Sequence, residues 1–167
     1  DSINAAAGDN YVDAGAGADV VIATTGADEI VAGTGADTVS SGDGADSILG
    51  GAGADSLNAG GGNDTIDAGT GDDTVVAGTG ADSILGGAGA DSINAGAGND
   101  TVNVDNALSA GDVIAGGDGT DTLAIDALAT AATAASVSGF EVLRYDTGAL
   151  GAQSMANFTA NTGFTTI

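Results

Sequence analysis

The chain has no cysteine, histidine, proline or tryptophan, and its single basic side chain is Arg144. Each absence removes a class of chemistry. Without cysteine there are neither disulfides nor thiolate metal sites, and without histidine there is neither the usual zinc ligand nor the commonest general base. The 24 acidic residues leave a net charge of −23, which repels nucleic acid and anionic membrane surfaces and attracts multivalent cations. No run approaches the roughly 18 apolar residues of a membrane helix, and no basic-then-apolar start marks a signal peptide. Oxygen, from carboxylates and backbone carbonyls, is the remaining strong metal-ligating atom, and it suits hard cations such as calcium and magnesium.

What the chain has in abundance is glycine, 31 of 167 residues, at regular spacing. Residues 5–103 divide without a gap into eleven nine-residue units, among them AGTGADTVS, GGAGADSLN and AGGGNDTID. Position 4 is Gly in all eleven units. Position 6 is Asp in ten and Asn10 in the other, and position 8 is always aliphatic, from Val12 through Ile48 and Leu57 to Val102. Asp1 and Ile3 fit the same slots of a preceding unit. The sequence opens inside a repeat and stops at Ile167 in a β-forming stretch, and so reads as a piece of a longer protein.

Glycines at positions 2 and 4 permit a tight turn lined with carbonyl acceptors. The last three residues of each unit, such as Thr38-Val39-Ser40, read as a short strand with one aliphatic inside and two polar residues outside. One such unit buries too little to fold alone, so the units are expected to stack as a solenoid. Two units make a coil of eighteen residues, which aligns the position-6 residues in two rows. One row holds Asp1, Asp19, Asp37, Asp55, Asp73 and Asp91, and the other Asn10, Asp28, Asp46, Asp64, Asp82 and Asp100. Neighbours in a row lie about one strand spacing, ~4.8 Å, apart. Carboxylates that close repel unless a cation lies between them. Ten such pairs result, and ten divalent ions would bring the net charge close to zero. Folding is therefore expected to require metal.

These units resemble the RTX nonapeptide G-G-x-G-x-D-x-U-x of bacterial proteins exported by type I secretion. The resemblance implies an all-β, right-handed parallel β-roll binding about ten Ca²⁺, each held by the position-6 residues of two loops one coil apart. It also implies carbonyl ligands from positions 2 and 4 of one loop and 1 and 3 of the next. One site would then combine Asp37 and Asp55 with the carbonyls of Gly33, Gly35, Gly50 and Ala52. Equivalent carbonyls belong to Gly42, Gly44, Gly51, Gly53, Gly60, Gly62, Gly69, Gly71, Gly78, Gly80, Gly87 and Gly89. The chain departs from the pattern where position 1 is usually Ala, where Ala6 and Thr24 replace the position-2 Gly, and at Asn10. The first coil is expected to bind calcium more weakly than the middle.

Residues 44–60 recur at 80–96 with only Leu57 changed to Ile93, a duplication of two coils. After residue 103 the register breaks for twelve residues and resumes once at 116–124, with Asp121 and Leu123 in the Asp and aliphatic slots. The β-roll proper is accordingly assigned to 1–103, and 104–167 to an irregular continuation or cap. Within the latter, 128–138 reads as a loop or weak helix, 140–145 as a strand, 153–161 as a short helix and 164–167 as a last strand. GGDGTDTLAI followed by SGFEVLRY is similar to segments of RTX-containing surface-layer proteins.

Competing motifs carry less. Gly15-Ala16-Gly17 is one of many recurring glycine pairs and lacks the long strand and helix of a dinucleotide site. A row of equivalent carboxylate pairs is a metal lattice rather than one glycosidase site, and no catalysis is expected. Asn63 and Asn99 sit in Asn-Asp-Thr sequons, but within the expected loops. Position 3 has no regular Thr or Asn array of the kind an ice-binding solenoid needs. Position 9 exposes Val31, Leu49 and Leu85 on one sheet and Ile22 and Val76 on the other, isolated apolars of a common kind that could also form lateral contacts. The leading expectation is a calcium-rigidified structural module of a secreted or cell-surface protein that self-associates into an array or filament. The alternative is the export and folding segment of a secreted enzyme or adhesin whose active domain lies elsewhere.

Overall fold

A computed structural model describes residues 1–104, 108, 111–125 and 136–145. Among these the secondary structure is entirely β, with no helix long and apolar enough to cross a membrane. Sixteen strands form two eight-stranded parallel sheets, the odd strands in one and the even in the other. The first sheet contains Ser2–Asn4, Val20–Ile22, Thr38–Asp43, Ser56–Gly61, Thr74–Thr79, Ser92–Gly98, Val113–Gly119 and Ser136–Ser138. The second contains Tyr11–Asp13, Glu29–Thr34, Ser47–Ala52, Thr65–Thr70, Ser83–Leu85, Thr101–Val104, Thr122–Ile125 and Val142–Tyr145. The chain alternates between the sheets once per repeat, so each coil adds one strand to each. Through the repeats the pairing register is eighteen residues, as in Ile30↔Ile48 and Ile48↔Ile66. This is the β-solenoid that the nonapeptide period implies.

Most middle strands are six residues long, twice the expected three. They continue through positions 1 to 3 because those backbones also pair between coils, as in Gly33↔Gly51 and Thr34↔Ala52. The pleat then turns position 8 inward, position 9 outward and position 1 inward again. The alanines of position 1 are therefore core residues: Ala32, Ala59, Ala68, Ala77 and Ala95 are fully buried beside Ile30, Leu57, Ile66, Val75 and Ile93. The interior is a two-layer stack of large side chains at position 8 and small ones at position 1, where Ser41 is also fully buried, its Oγ donating to the Ala59 carbonyl at 2.8 Å.

Both sheets run on past residue 103, and the coils change length rather than stop. The pairing Ser92↔Val113 places three extra residues in that coil. The segment expected to break register therefore supplies a strand, with Ile114 buried in the position-8 slot. The expectation of a loop or weak helix over 128–138 needs correction at its end. Ser136–Ser138 is a strand that pairs with Val113–Ala115 and buries Val137, because the polar-apolar-polar triplet matches the open sheet edge. The strand expected at 140–145 is present as Val142–Tyr145. The segments expected at 153–161 and 164–167 lie outside the described residues. At this end the loop between strands shrinks to Gly139, Phe140 and Glu141, and Phe140 is fully buried.

Candidate metal centre

The position-6 aspartates are the buried charges of the molecule. Asp19, Asp28, Asp37, Asp46, Asp55, Asp64, Asp73, Asp82, Asp91 and Asp100 are each no more than 4% exposed. Each is held from both sides. Its backbone N–H donates to Oδ1 of the Asp one coil later, as from Asp37 to Asp55 and from Asp46 to Asp64, both at 2.8 Å. Its carbonyl accepts the N–H of position 7 one coil later, as Asp37 does from Ser56 at 2.8 Å. Position-6 residues one coil apart thus form the rungs of two ladders. Asp1 belongs to one, its nitrogen bonded to Asp19 Oδ1. Asn10 belongs to the other, its N–H donating to Asp28 Oδ1.

One oxygen of most of these carboxylates remains unused. Oδ2 of Asp19, Asp28, Asp37, Asp46, Asp55, Asp64, Asp73, Asp82, Asp100 and Asp121 is buried without a hydrogen-bond partner. A single buried unsatisfied carboxylate oxygen is costly, and a double row of them offers ligands suited to cations. Among the described residues no three carboxylates converge, so the remaining ligands would be backbone carbonyls of the same loops. The Ala52 carbonyl faces the preceding loop, where it accepts the Gly35 N–H at 2.7 Å, with a second lone pair to spare. A Cβ added to Gly51 would overlap the Gly33 carbonyl oxygen, and one added to Gly53 the Gly35 oxygen. Both glycines also have positive φ, 104° and 145°. Gly42, Gly44, Gly60, Gly62, Gly69, Gly71, Gly78, Gly80, Gly87 and Gly89 repeat this arrangement, each also at positive φ. Gly50 differs: it occupies the inward position 1, and its missing Cβ would lie 3.1 Å from Asp55 Oδ2. The donor set is all oxygen, paired and buried, and it fits Ca²⁺.

The electrostatics agree. Burial pushes the carboxyls of Asp55, Asp64, Asp73, Asp82, Asp91, Asp100 and Asp121 above the usual carboxylate range. The N–H bond from the preceding Asp partly offsets this. Asp64 and Asp73 are pushed up to about 6, the carboxylates one coil to either side adding to burial. Without a cation the ladders are therefore held at an energetic disadvantage at neutral pH.

Three members of the ladders fall outside the eighteen-residue period. Asp112 is buried and accepts the Asp91 N–H at 3.0 Å across a spacing of 21 residues. Asp121 follows Asp100 at the same spacing, with a 2.9 Å bond. Oε2 of Glu141 then accepts the Asp121 N–H at 2.8 Å, twenty residues on. The shortened loop before Glu141 is matched by its additional methylene. Asp112 was legible as the Asp two residues before an inward aliphatic, Ile114, once the demand for a fixed period is relaxed. Glu141 had no such signal. The sequon asparagines have a structural use, since Oδ1 of Asn63 accepts the Ala81 N–H and that of Asn99 the Thr120 N–H.

A parallel β-solenoid whose glycine-rich turns stack buried carboxylates in rows is a calcium-binding β-roll. The model of the RTX calcium-binding nonapeptide repeat, four copies long, matches residues 1–21, 15–48, 22–57, 40–75, 67–102 and 107–124. The chain belongs to this family. The last matched segment contains both Asp112 and Asp121, so the family pattern extends across the change of coil length. No curated protein matches the chain.

Proposed function

We propose that this chain is the structural, non-catalytic part of a secreted protein, folded and stiffened by calcium after export and assembled at a cell surface. The observation that carries the reading is the double row of buried Oδ2 atoms without partners. A chain that must place more than ten carboxylates in its interior has a native state that depends on extracellular calcium. Low cytosolic calcium leaves it unfolded for type I secretion, and millimolar calcium outside saturates sites of about 10⁻⁴ to 10⁻³ M affinity. Each rung takes one ion between its two carboxylates, with carbonyls of positions 2 and 4 of one loop and 1 and 3 of the next completing the shell. Asp112 and Asp121 extend both ladders by one rung past Asp91 and Asp100.

Exposed apolar side chains on both sheets, Ile22, Val76 and Val113 on one and Tyr11 and Leu49 on the other, support lateral self-association. Electron microscopy of the protein with and without calcium tests the assembly. A calcium-dependent lattice or filament is expected, and a dispersed calcium-loaded monomer at high concentration would refute surface assembly.

A further inference from the structure

The first loop of the second ladder is wired differently from the rest. Nδ2 of Asn10 donates to the Ala6 carbonyl at 2.7 Å, to the Gly8 carbonyl, and to Asp28 Oδ1 at 3.0 Å. Ala6 and Gly8 occupy positions 2 and 4 of that loop. The three acceptors are thus two loop carbonyls of the kind a rung would offer to an ion, together with Oδ1 of the carboxylate one coil on, which also accepts the Asn10 backbone N–H. An amide nitrogen carries two donor hydrogens and has no lone pair available to a metal. With carbonyl and carboxylate oxygens converging on it, the hydrogen-bond pattern requires the nitrogen, rather than the amide oxygen, to face them. The backbone contact is otherwise ordinary, the Asn10 N–H meeting Asp28 Oδ1 at 2.8 Å as in other rungs.

We infer that the Asn10/Asp28 rung holds no calcium, because the Asn10 amide stands where the ion would be. This rests on the calcium ladder proposed above and sharpens it. The rung carries one carboxylate instead of two, so the repulsion that makes a divalent ion necessary elsewhere is absent. The two amide hydrogens are shared among these three oxygens. It closes the first loop by hydrogen bonds alone and holds Asp28 in ladder geometry for the 28/46 rung, where Asp28 N–H meets Asp46 Oδ1 at 2.9 Å. Asp28 is thereby set in place before any metal arrives.

Native mass spectrometry of the wild type and Asn10→Asp in millimolar calcium tests this. The variant is expected to take up one ion more than the wild type, and equal counts would overturn the inference. If neither protein binds ions, the calcium reading itself fails, which is a separate outcome. A second measurement needs no variant: side-chain amide exchange of Asn10 by NMR in the calcium-loaded wild type. Exchange about tenfold or more slower than at exposed Asn58 is expected from its three hydrogen bonds. Exchange as fast as at Asn58 would show the amide displaced by an ion and overturn the inference.

Discussion

Replacing Asp64 with alanine removes a carboxylate from two rungs at once. Its Oδ1 accepts the Asp46 N–H at 2.8 Å, and its own N–H donates to Asp82 Oδ1 at 2.8 Å. The charges of both neighbours bear on its carboxyl group. Alanine would leave the Asp46 N–H buried without an acceptor, at a cost of about 1–3 kcal/mol. It would also take one of two carboxylates from each of the 46/64 and 64/82 rungs. A site of about 0.1 mM affinity contributes about 1.4 kcal/mol at 1 mM calcium, so losing two removes about 3 kcal/mol more. The total is about 4–6 kcal/mol, and distant coils cannot compensate, because each coil touches only its neighbours. Native mass spectrometry should count two fewer ions, and circular dichroism should show the calcium midpoint moved to higher concentration. Loss of one ion or none, with an unmoved midpoint, would refute the claim that each interior aspartate serves two rungs.

The metal-free roll should respond to acid in the opposite sense to most proteins. Asp64 and Asp73 are pushed up to about 6 in the folded chain, against about 3.9 for an unfolded aspartate. Their contribution is therefore fully present below about pH 4 and lost as pH rises through about 6. In EDTA, β-structure measured by circular dichroism should grow as pH falls from 7 to 4, and a flat or falling signal would contradict this. Gly51→Ala forces a Cβ onto the Gly33 carbonyl at a φ of 104°, costing at least about 1–2 kcal/mol from the backbone alone. Its calcium midpoint should rise several-fold. Gly61→Ala, which would meet only Asp43 Oδ1 at 3.2 Å and Thr79 Oγ1 at 3.4 Å, should stay near wild type. Phe140→Ala opens a cavity at a fully buried site and should cost about 3–5 kcal/mol, seen as a lower melting temperature of the calcium-loaded protein.

The period of nine carried most of the fold because a solenoid repeats its contacts with its sequence. Once position 8 is inward in one unit it is inward in all, and Ile30, Ile48 and Ile66 had to stack. The ladder of position-6 aspartates followed from the same arithmetic. The contribution of position 1 was hidden, because Ala32 or Ala77 reads as a tolerated replacement for glycine until the six-residue strand turns its methyl group inward. Asp112 and Glu141 were missed for a different reason. Extra residues in one coil and a shortened loop in another leave the stacking intact while breaking the count, and coil length is set by contacts across coils rather than by the local sequence. The amide of Asn10 is legible only in three dimensions. In sequence it is a neutral oxygen donor, and its nitrogen becomes the relevant atom only once the Ala6 and Gly8 carbonyls are seen to converge on it.

The central claim, that this chain folds because calcium fills its ladders, is tested most directly by circular dichroism at pH 7 during a titration from EDTA to millimolar calcium. A largely disordered spectrum converting cooperatively to β-structure is predicted. A spectrum unchanged across the titration would contradict it, since the buried carboxylates would then be accommodated without the ion.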